Sequence, residues 1–275
     1  MSVFTASFAI RAYIAVAAVG VAAPLVGSFL VQRRLALIGD GIGHLAFAGV
    51  AIGVALSVAP VWGALAASLI GAIALDRLRA AGRIAGDLAL ALVFYGALAL
   101  GIVLLGATHR FDSSALGVLF GDPFVASDGD VLVAVVLCAL VVAAIVPFYR
   151  QLLAVALDEE TARSSGLPVD ALNVLTVALT ALLVSAGMRV VGLLLVASLL
   201  VIPVAAGSRL AHSFRDTVRW AIVIGVLSGL VGLLVALAPP GTLAPGGTIV
   251  LTSIVVFVIA AFAGRRAARR HPRSS

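Results

Sequence analysis

Ionisable side chains are scarce inside the apolar parts of this sequence, and two of them stand four residues apart. They are Asp40 and His44, in the small-residue segment Leu37-Ile38-Gly39-Asp40-Gly41-Ile42-Gly43-His44-Leu45-Ala46-Phe47-Ala48-Gly49. On a helix, that spacing puts both side chains on one face. A carboxylate and an imidazole presented together suit a borderline divalent cation such as zinc, and manganese accepts the same donors. Two ligands do not complete a site, but a two-fold homodimer with this face at its axis supplies four. A purely structural reading competes. In it, Asp40 is the N-cap of the second helix, or pairs with Arg33 or Arg34, and His44 is a solvated helix-start residue. Spacing alone favours that reading. Gly49 and its neighbouring glycines have a bland role of their own, because small residues let membrane helices pack closely.

Two further stretches carry a pattern. In Phe148-Tyr149-Arg150 through Leu157-Asp158-Glu159-Glu160-Thr161-Ala162-Arg163-Ser164-Ser165-Gly166-Leu167-Pro168, Asp158 can cap a short helix. Glu159 and Glu160 fall in its first turn, and Gly166 ends it before Pro168. A two-turn helix is marginal in water and needs something to dock on. The other stretch runs from Gly192 to Gly207, where Pro203 removes a helical donor and Ser198 is expected to satisfy a freed backbone group. Arg189, just before it, is expected to snorkel to the interface. His109, Arg110, Asp112, Asp122, Asp128 and Asp130 are expected to form a solvated outward loop.

The elements that must position these residues are membrane helices. Of 275 residues, 63% are apolar and 11% charged, leaving too little polar surface for a water-facing body. Apolar runs at about 12–31, 44–59, 61–75, 88–107, 130–149, 169–187, 190–207, 220–238 and 247–264 each approach the roughly 20 residues that a bilayer asks for. A single helix over 44–75 would be about 48 Å long, and Pro60 offers a break, so eight or nine spans are expected. The fold class is therefore all-α and polytopic, one transmembrane domain over residues 1–275.

All 18 basic residues are arginines. Only Arg11, Arg110 and Arg189 fall on one side of the runs, leaving 15 on the other. The positive-inside rule then puts the C-terminus and the loops near 33, 78, 158 and 213 in the cytoplasm and the N-terminus outside. The arginine clusters serve topology, so no nucleic acid partner is expected. Without lysine a Gly-Lys-Ser/Thr phosphate loop is impossible, so any ATP hydrolysis belongs to another chain and this one is not itself an enzyme. The lone Cys138 allows neither an intramolecular disulfide nor a cysteine zinc cage.

Taken together, the three stretches resemble the zinc and manganese uptake permeases of bacterial ABC transporters. Asp40, His44 and Gly49 look like the family's first block. Phe148, Arg150, Asp158, Glu159, Ala162 and Gly166 look like its cytoplasmic segment, Gly192 through Pro203 like its Gly-apolar-Pro block, and Leu119-Phe120-Gly121-Asp122 like its Leu-Phe-Gly loop. One departure is Gly43, where family members often carry Ser. The resemblance implies a cobalamin-permease-like ABC importer architecture in the bacterial plasma membrane, surrounded by lipid, with no permanently bound cofactor. It implies a second permease copy, a cytoplasmic ABC ATPase subunit that binds ATP, and an extracytoplasmic metal-binding solute-binding protein. Residues 157–167 would be the coupling helix, with Asp158, Glu159, Ala162 and Gly166 contacting the ATPase. Asp40 and His44 would be transient contacts for zinc, manganese or iron. Gly192, Pro203 and Gly49 would serve helix kinking and packing. A siderophore or cobalamin permease is the nearest alternative. An ion-coupled secondary transporter is disfavoured by the near absence of acidic residues within the spans.

The arginine distribution predicts that residues 158 and 271 face the cytoplasm. With Cys138 replaced, single cysteines at these positions should resist an impermeant thiol reagent added from outside, and strong labelling of either would reverse the orientation.

Overall fold

The computed structural model describes residues 7–80, 86–108, 123–124, 126–238 and 243–270. His109, Arg110, Asp112 and Leu119 through Asp122 lie outside them. In chain order the helices are α1 (Ser7–Gln32), α2 (Ile38–Ala55), α3 (Pro60–Ala80), α4 (Gly86–Ala107), α5 (Asp128–Leu157), α6 (Glu159–Ser164), α7 (Val169–Met188), α8 (Leu193–Leu210), α9 (Phe214–Leu237) and α10 (Pro245–Arg270). Among the described residues nine of these, all but α6, are long and apolar enough to cross a membrane. In a bilayer, helices satisfy their own backbone, which is why the apolar runs fold this way. The uncertain second and third runs are separate spans. α2 ends at Ala55, Ser57 adopts a left-handed φ of 57°, and Pro60 opens α3 as its first residue, where its missing donor costs nothing.

Burial separates centre from periphery. In α1, α2 and α7, 72% of the spanning window is enclosed by protein, against 22% in α3, α4 and α10, which lie at the periphery of the chain. α2 packs chiefly on α3 and α4, with α7 and α8 behind it. On the other side α1 is flanked by α5, α8 and α9, and α8, α9 and α10 pack on one another.

The closest approaches occur at glycines. A Cβ on Gly49 would run into the carbonyl oxygen of Gly63, and one on Gly63 into that of Gly49, so α2 and α3 cross backbone to backbone. Gly27 of α1 lies against the Leu200 carbonyl of α8 in the same way, and a Cβ on Gly39 would lie 2.6 Å from the Leu200 side chain. The next turn of α2 meets the start of α8, where the Leu193 side chain fills the space a Cβ on Gly43 would occupy. Leu193 reaches it because Gly192, at φ 88°, turns the chain from α7 into α8 in a conformation that L side chains rarely adopt.

Three expectations need correction. The Ser198 hydroxyl donates to the Leu195 carbonyl at 2.8 Å, whereas the carbonyl deprived of a donor by Pro203 is that of Leu199, so the serine makes a local bond unconnected with the proline. Asp128 and Asp130 are not loop residues. They form the first turn of α5, whose amide at Asp130 is capped by Ser127. Arg189 pairs with Asp130 at 2.8 Å and Arg11 with Asp128 at 3.1 Å, so these arginines tie the end of α7 and the start of α1 to α5, and Arg189 does not snorkel separately as expected.

The Gly43–Leu193 contact makes a quantitative expectation. Gly43→Ser should lower stability by about 1–3 kcal/mol, as overpacking does. In the Gly43→Ser/Leu193→Ala double variant the sum of the single effects should be undercut by about 1 kcal/mol, since the smaller residue makes room for the new side chain. Thermal denaturation of the four proteins in detergent measures it, and additivity would mean the two residues do not compete for space.

Candidate functional site

α2 begins at Ile38, earlier than the sequence suggested, and this decides how Asp40 is used. Its N-cap is Leu37, with no side-chain cap, so Asp40 is not the cap but lies within the first turn. There the partial positive charge of the helix start favours a carboxylate. Nor does Asp40 pair with Arg33, which bonds elsewhere. Its near neighbour is His44, one turn on, with Nε2 3.9 Å from Asp40 Oδ1. That is too long for a hydrogen bond but spans a gap that a cation or a water can bridge. The pair lies within the depth of the bundle, because Gly39 and Gly43 on either side of Asp40 pack against Leu200 and Leu193 of α8.

His44 is not a solvated helix-start residue. Its side chain is only 12% exposed, and its ring meets that of Phe94 edge-on at a centroid distance of 4.1 Å. Nδ1 is buried and makes no hydrogen bond within the chain. Asp40, at 40%, faces a cavity of about 230 Å³ whose other walls are Leu37, Leu90, Ala91, Phe94 and Tyr95. The arrangement is a carboxylate at the edge of a mostly apolar pocket, with an imidazole held behind it by an aromatic ring. Among the described residues no three His, Cys, Asp or Glu side chains converge, so one copy offers a passing cation two protein ligands. The hydroxyl that a Ser at position 43 would add is replaced by the Leu193 side chain.

The second site stands at the arginine-rich end. α6 spans Glu159–Ser164, and the Asp158 carboxylate caps it by accepting from the amides of Glu160 and Thr161 and from the Thr161 hydroxyl. The Thr161 bonds hold its pKa below the ordinary carboxylate range. Since the folded value is the lower one, the cap's contribution is complete above the ordinary range and fades only as pH falls through the depressed value, so neutral pH leaves it intact. Ala162 is buried, and Gly166 at φ 82° closes the turn, its amide bonded to the Arg163 carbonyl at 3.1 Å. Pro203 lies buried within α8, on the same helix as Leu193 and Leu200.

Three contacts escaped the sequence reading. Arg33, at the elbow between α1 and α2, donates to Glu159 at 3.1 Å, and Asn173 of α7 donates to the other carboxylate oxygen at 3.3 Å. α6 is thereby tied to the elbow from which α2 departs. Asn173, Thr176 and Thr180 recur at helical spacing in an apolar run, which was the only available signal for that junction. Nothing in the spacing relates Phe94 to His44.

The sequence matches the profile of the ABC 3 transport family over residues 5–264. It is 31% identical over 246 residues to the high-affinity zinc uptake system membrane protein ZnuB of Haemophilus influenzae, covering 90% of this chain and 93% of that one. It is 30% identical over 256 residues to the manganese transport system membrane protein MntC of Halalkalibacterium halodurans, covering 93% and 87%. The fold superposes on a chain of PsaBC from Streptococcus pneumoniae, solved in complex with Fab, with a TM-score of 0.86 at 28% identity, over 96% of this chain and 95% of that one. Nine apolar helices among the described residues, an Asp–His pair set into the second and a match along nearly the whole length lead to one assignment: the chain belongs to the ABC 3 transport family, as a multi-pass permease component of an ABC transporter in the plasma membrane.

Proposed function

We propose that this permease imports a divalent metal ion, zinc or manganese, with Asp40 and His44 as transient contacts on the path. The observation that carries the reading is the pair itself: Nε2 and Oδ1 lie 3.9 Å apart at a cavity edge, inside the bundle and without competing cationic partners from Arg33. The zinc and manganese systems named among the relatives support the same cargo. Two ligands per chain make a weak site, which suits a conduit, because a complete cage would hold the ion instead of passing it on. A second copy of the chain, facing the first across a two-fold axis, would double the donor set to four.

Transport of this kind needs a motor and a source of cargo. A separate ATPase subunit would dock on Asp158, Glu159, Ala162 and Gly166, and an extracytoplasmic binding protein would deliver the ion at the opposite end. The strut from Glu159 to Arg33 supports this reading, since a push on α6 reaches the α1–α2 elbow through a charge-assisted hydrogen bond. The capped, glycine-closed geometry of α6 gives the motor a defined shape to grip.

Two experiments test these assignments in vesicles containing the permease, its ATPase and its binding protein. Asp40→Asn and His44→Gln keep size and hydrogen-bonding capacity while weakening the affinity for a cation. Uptake of zinc or manganese should fall at least about tenfold, the scale known for losses around metal sites. Folded yield and melting temperature should be unchanged, and normal uptake by both variants would remove the pair from the path. Asp158→Arg deletes the cap and opposes the helix dipole, and Gly166→Pro forbids the positive φ and removes an amide donor. Both should abolish stimulation of the ATPase by cargo while the spans stay assembled. Full stimulation in both would leave α6 a surface connector.

A further inference from the structure

α5 and α9 both pack on α1, and between them a groove of about 510 Å³ opens at the arginine-rich end of the bundle. Three arginines line it, Arg150 from α5 and Arg215 and Arg219 from α9, together with Tyr149, Val146 and Val218. Arg150 stands seven residues before the end of α5, about 10 Å along the helix from its junction with α6, so the cluster lies within the span's own length and not on the soluble loop. All three arginines are exposed, and among the described residues Asp216 is the single carboxylate that reaches one of them, at 3.4 Å from Arg219. Three positive charges therefore face one concave surface with one neighbouring negative charge. The Tyr149 hydroxyl, which belongs to the same lining, is buried and makes no hydrogen bond within the chain.

Below the arginines both walls turn apolar and outward. Val146 is 66% exposed, and Leu140, Val136 and Leu132 continue the stripe along α5. Trp220, Val223, Leu227, Val231 and Leu234 form the matching stripe on α9 at helical spacing. Asp40, His44 and their cavity lie elsewhere, on α2 and α4. A cationic rim over an apolar wall of spanning length is complementary to a molecule with an anionic head and long acyl chains. Arginine forks match a phosphate bidentately, and tryptophan favours the level where head groups begin.

We propose that the α5–α9 groove is a binding site for one anionic phospholipid of the arginine-rich leaflet, its phosphate held by Arg150, Arg215 and Arg219 and its chains lying along the two apolar stripes. A free phosphate would use the arginines but leave the stripes without a role. Neither the ion path nor the coupling reading is needed for this site.

The chain has two tryptophans, so Trp62→Phe leaves Trp220, next to Arg219, as the single reporter. The full-length protein is placed in phosphatidylcholine vesicles containing phosphatidylglycerol, with one lipid or the other brominated near the top of its chains, and quenching gives the relative affinity. Phosphatidylglycerol should be preferred about 25-fold, since each basic residue near an anionic surface contributes about fivefold and Asp216 offsets one of the three. Replacing Arg150, Arg215 and Arg219 with Gln should bring the ratio close to one, replacing them with Lys should keep most of it, and replacing Arg34, Arg77 and Arg209 with Gln should keep it too. A ratio near one in the parent, retention in the Gln triple, or equal loss in the control triple would overturn the proposal. So would displacement of the brominated lipid by millimolar inorganic phosphate, which would mark an anion site. Repeating the measurement on the assembled transporter covers the other occupants: persistence of the preference supports a lipid, and its loss would show that a protein subunit covers the groove.

Discussion

The seating of α8 against the glycines of α1 and α2 is the contact on which the candidate ion path depends. Leu200 presses its backbone on Gly27 and its side chain on Gly39, and Leu193 fills the space beside Gly43. Because no side chain intervenes, α2 starts inside the bundle, and its first two turns carry Asp40 and His44 past α8 instead of leaving them at the membrane surface. Apolar surface gives helices in lipid little reason to associate, so close van der Waals fit has to supply the attraction. A larger residue at any of these glycines would part the helices and displace the pair with them.

Polar groups follow the same economy of space. Ser28, Thr176, Thr180, Ser228 and Ser253 return their hydroxyls to the carbonyl four residues back, which satisfies them without a partner helix. Among the described residues one buried hydroxyl pair links two helices, Ser68 of α3 with Ser185 of α7 at 2.7 Å. Among the described residues the ion pairs other than Asp40–His44 gather near helix ends. Arg11–Asp128 and Arg189–Asp130 hold the start of α5, and Arg33–Glu159 and Arg163–Asp170 tie α6, which follows it, to the α1–α2 elbow and to α7. α5 is thus held by ion pairs at its start while much of its length faces outward.

Asp40 and His44 sit differently from the other ion pairs among the described residues. The others lie at helix ends, where water or a partner element shares the charge. His44 is enclosed by Phe94 and keeps one ring nitrogen without a hydrogen bond, and Asp40 borders a pocket with largely apolar walls. An arrangement that leaves donors under-coordinated is costly in a membrane interior unless a visiting cation or water completes it.

The sequence by itself determined the elements and their chemistry. Long apolar runs have to become helices in a bilayer, Pro60 has to open a helix instead of crossing one, and the Asp158 carboxylate followed by two amides and a threonine hydroxyl is a cap by local geometry alone. Those are short-range requirements, readable from a few neighbouring residues. Only the tertiary structure decided the rest. Asp40 looked like a cap because its neighbourhood offered no other use for it, yet contacts with α8 draw the helix start back to Ile38 and leave Asp40 beside His44. Phe94 against His44, Leu193 in the place of a Gly43 side chain, Arg189 on Asp130 and Arg33 on Glu159 join residues far apart in the chain. In an all-apolar helix the face that turns inward has little compositional mark, so partner, depth and rotation follow from packing and not from periodicity.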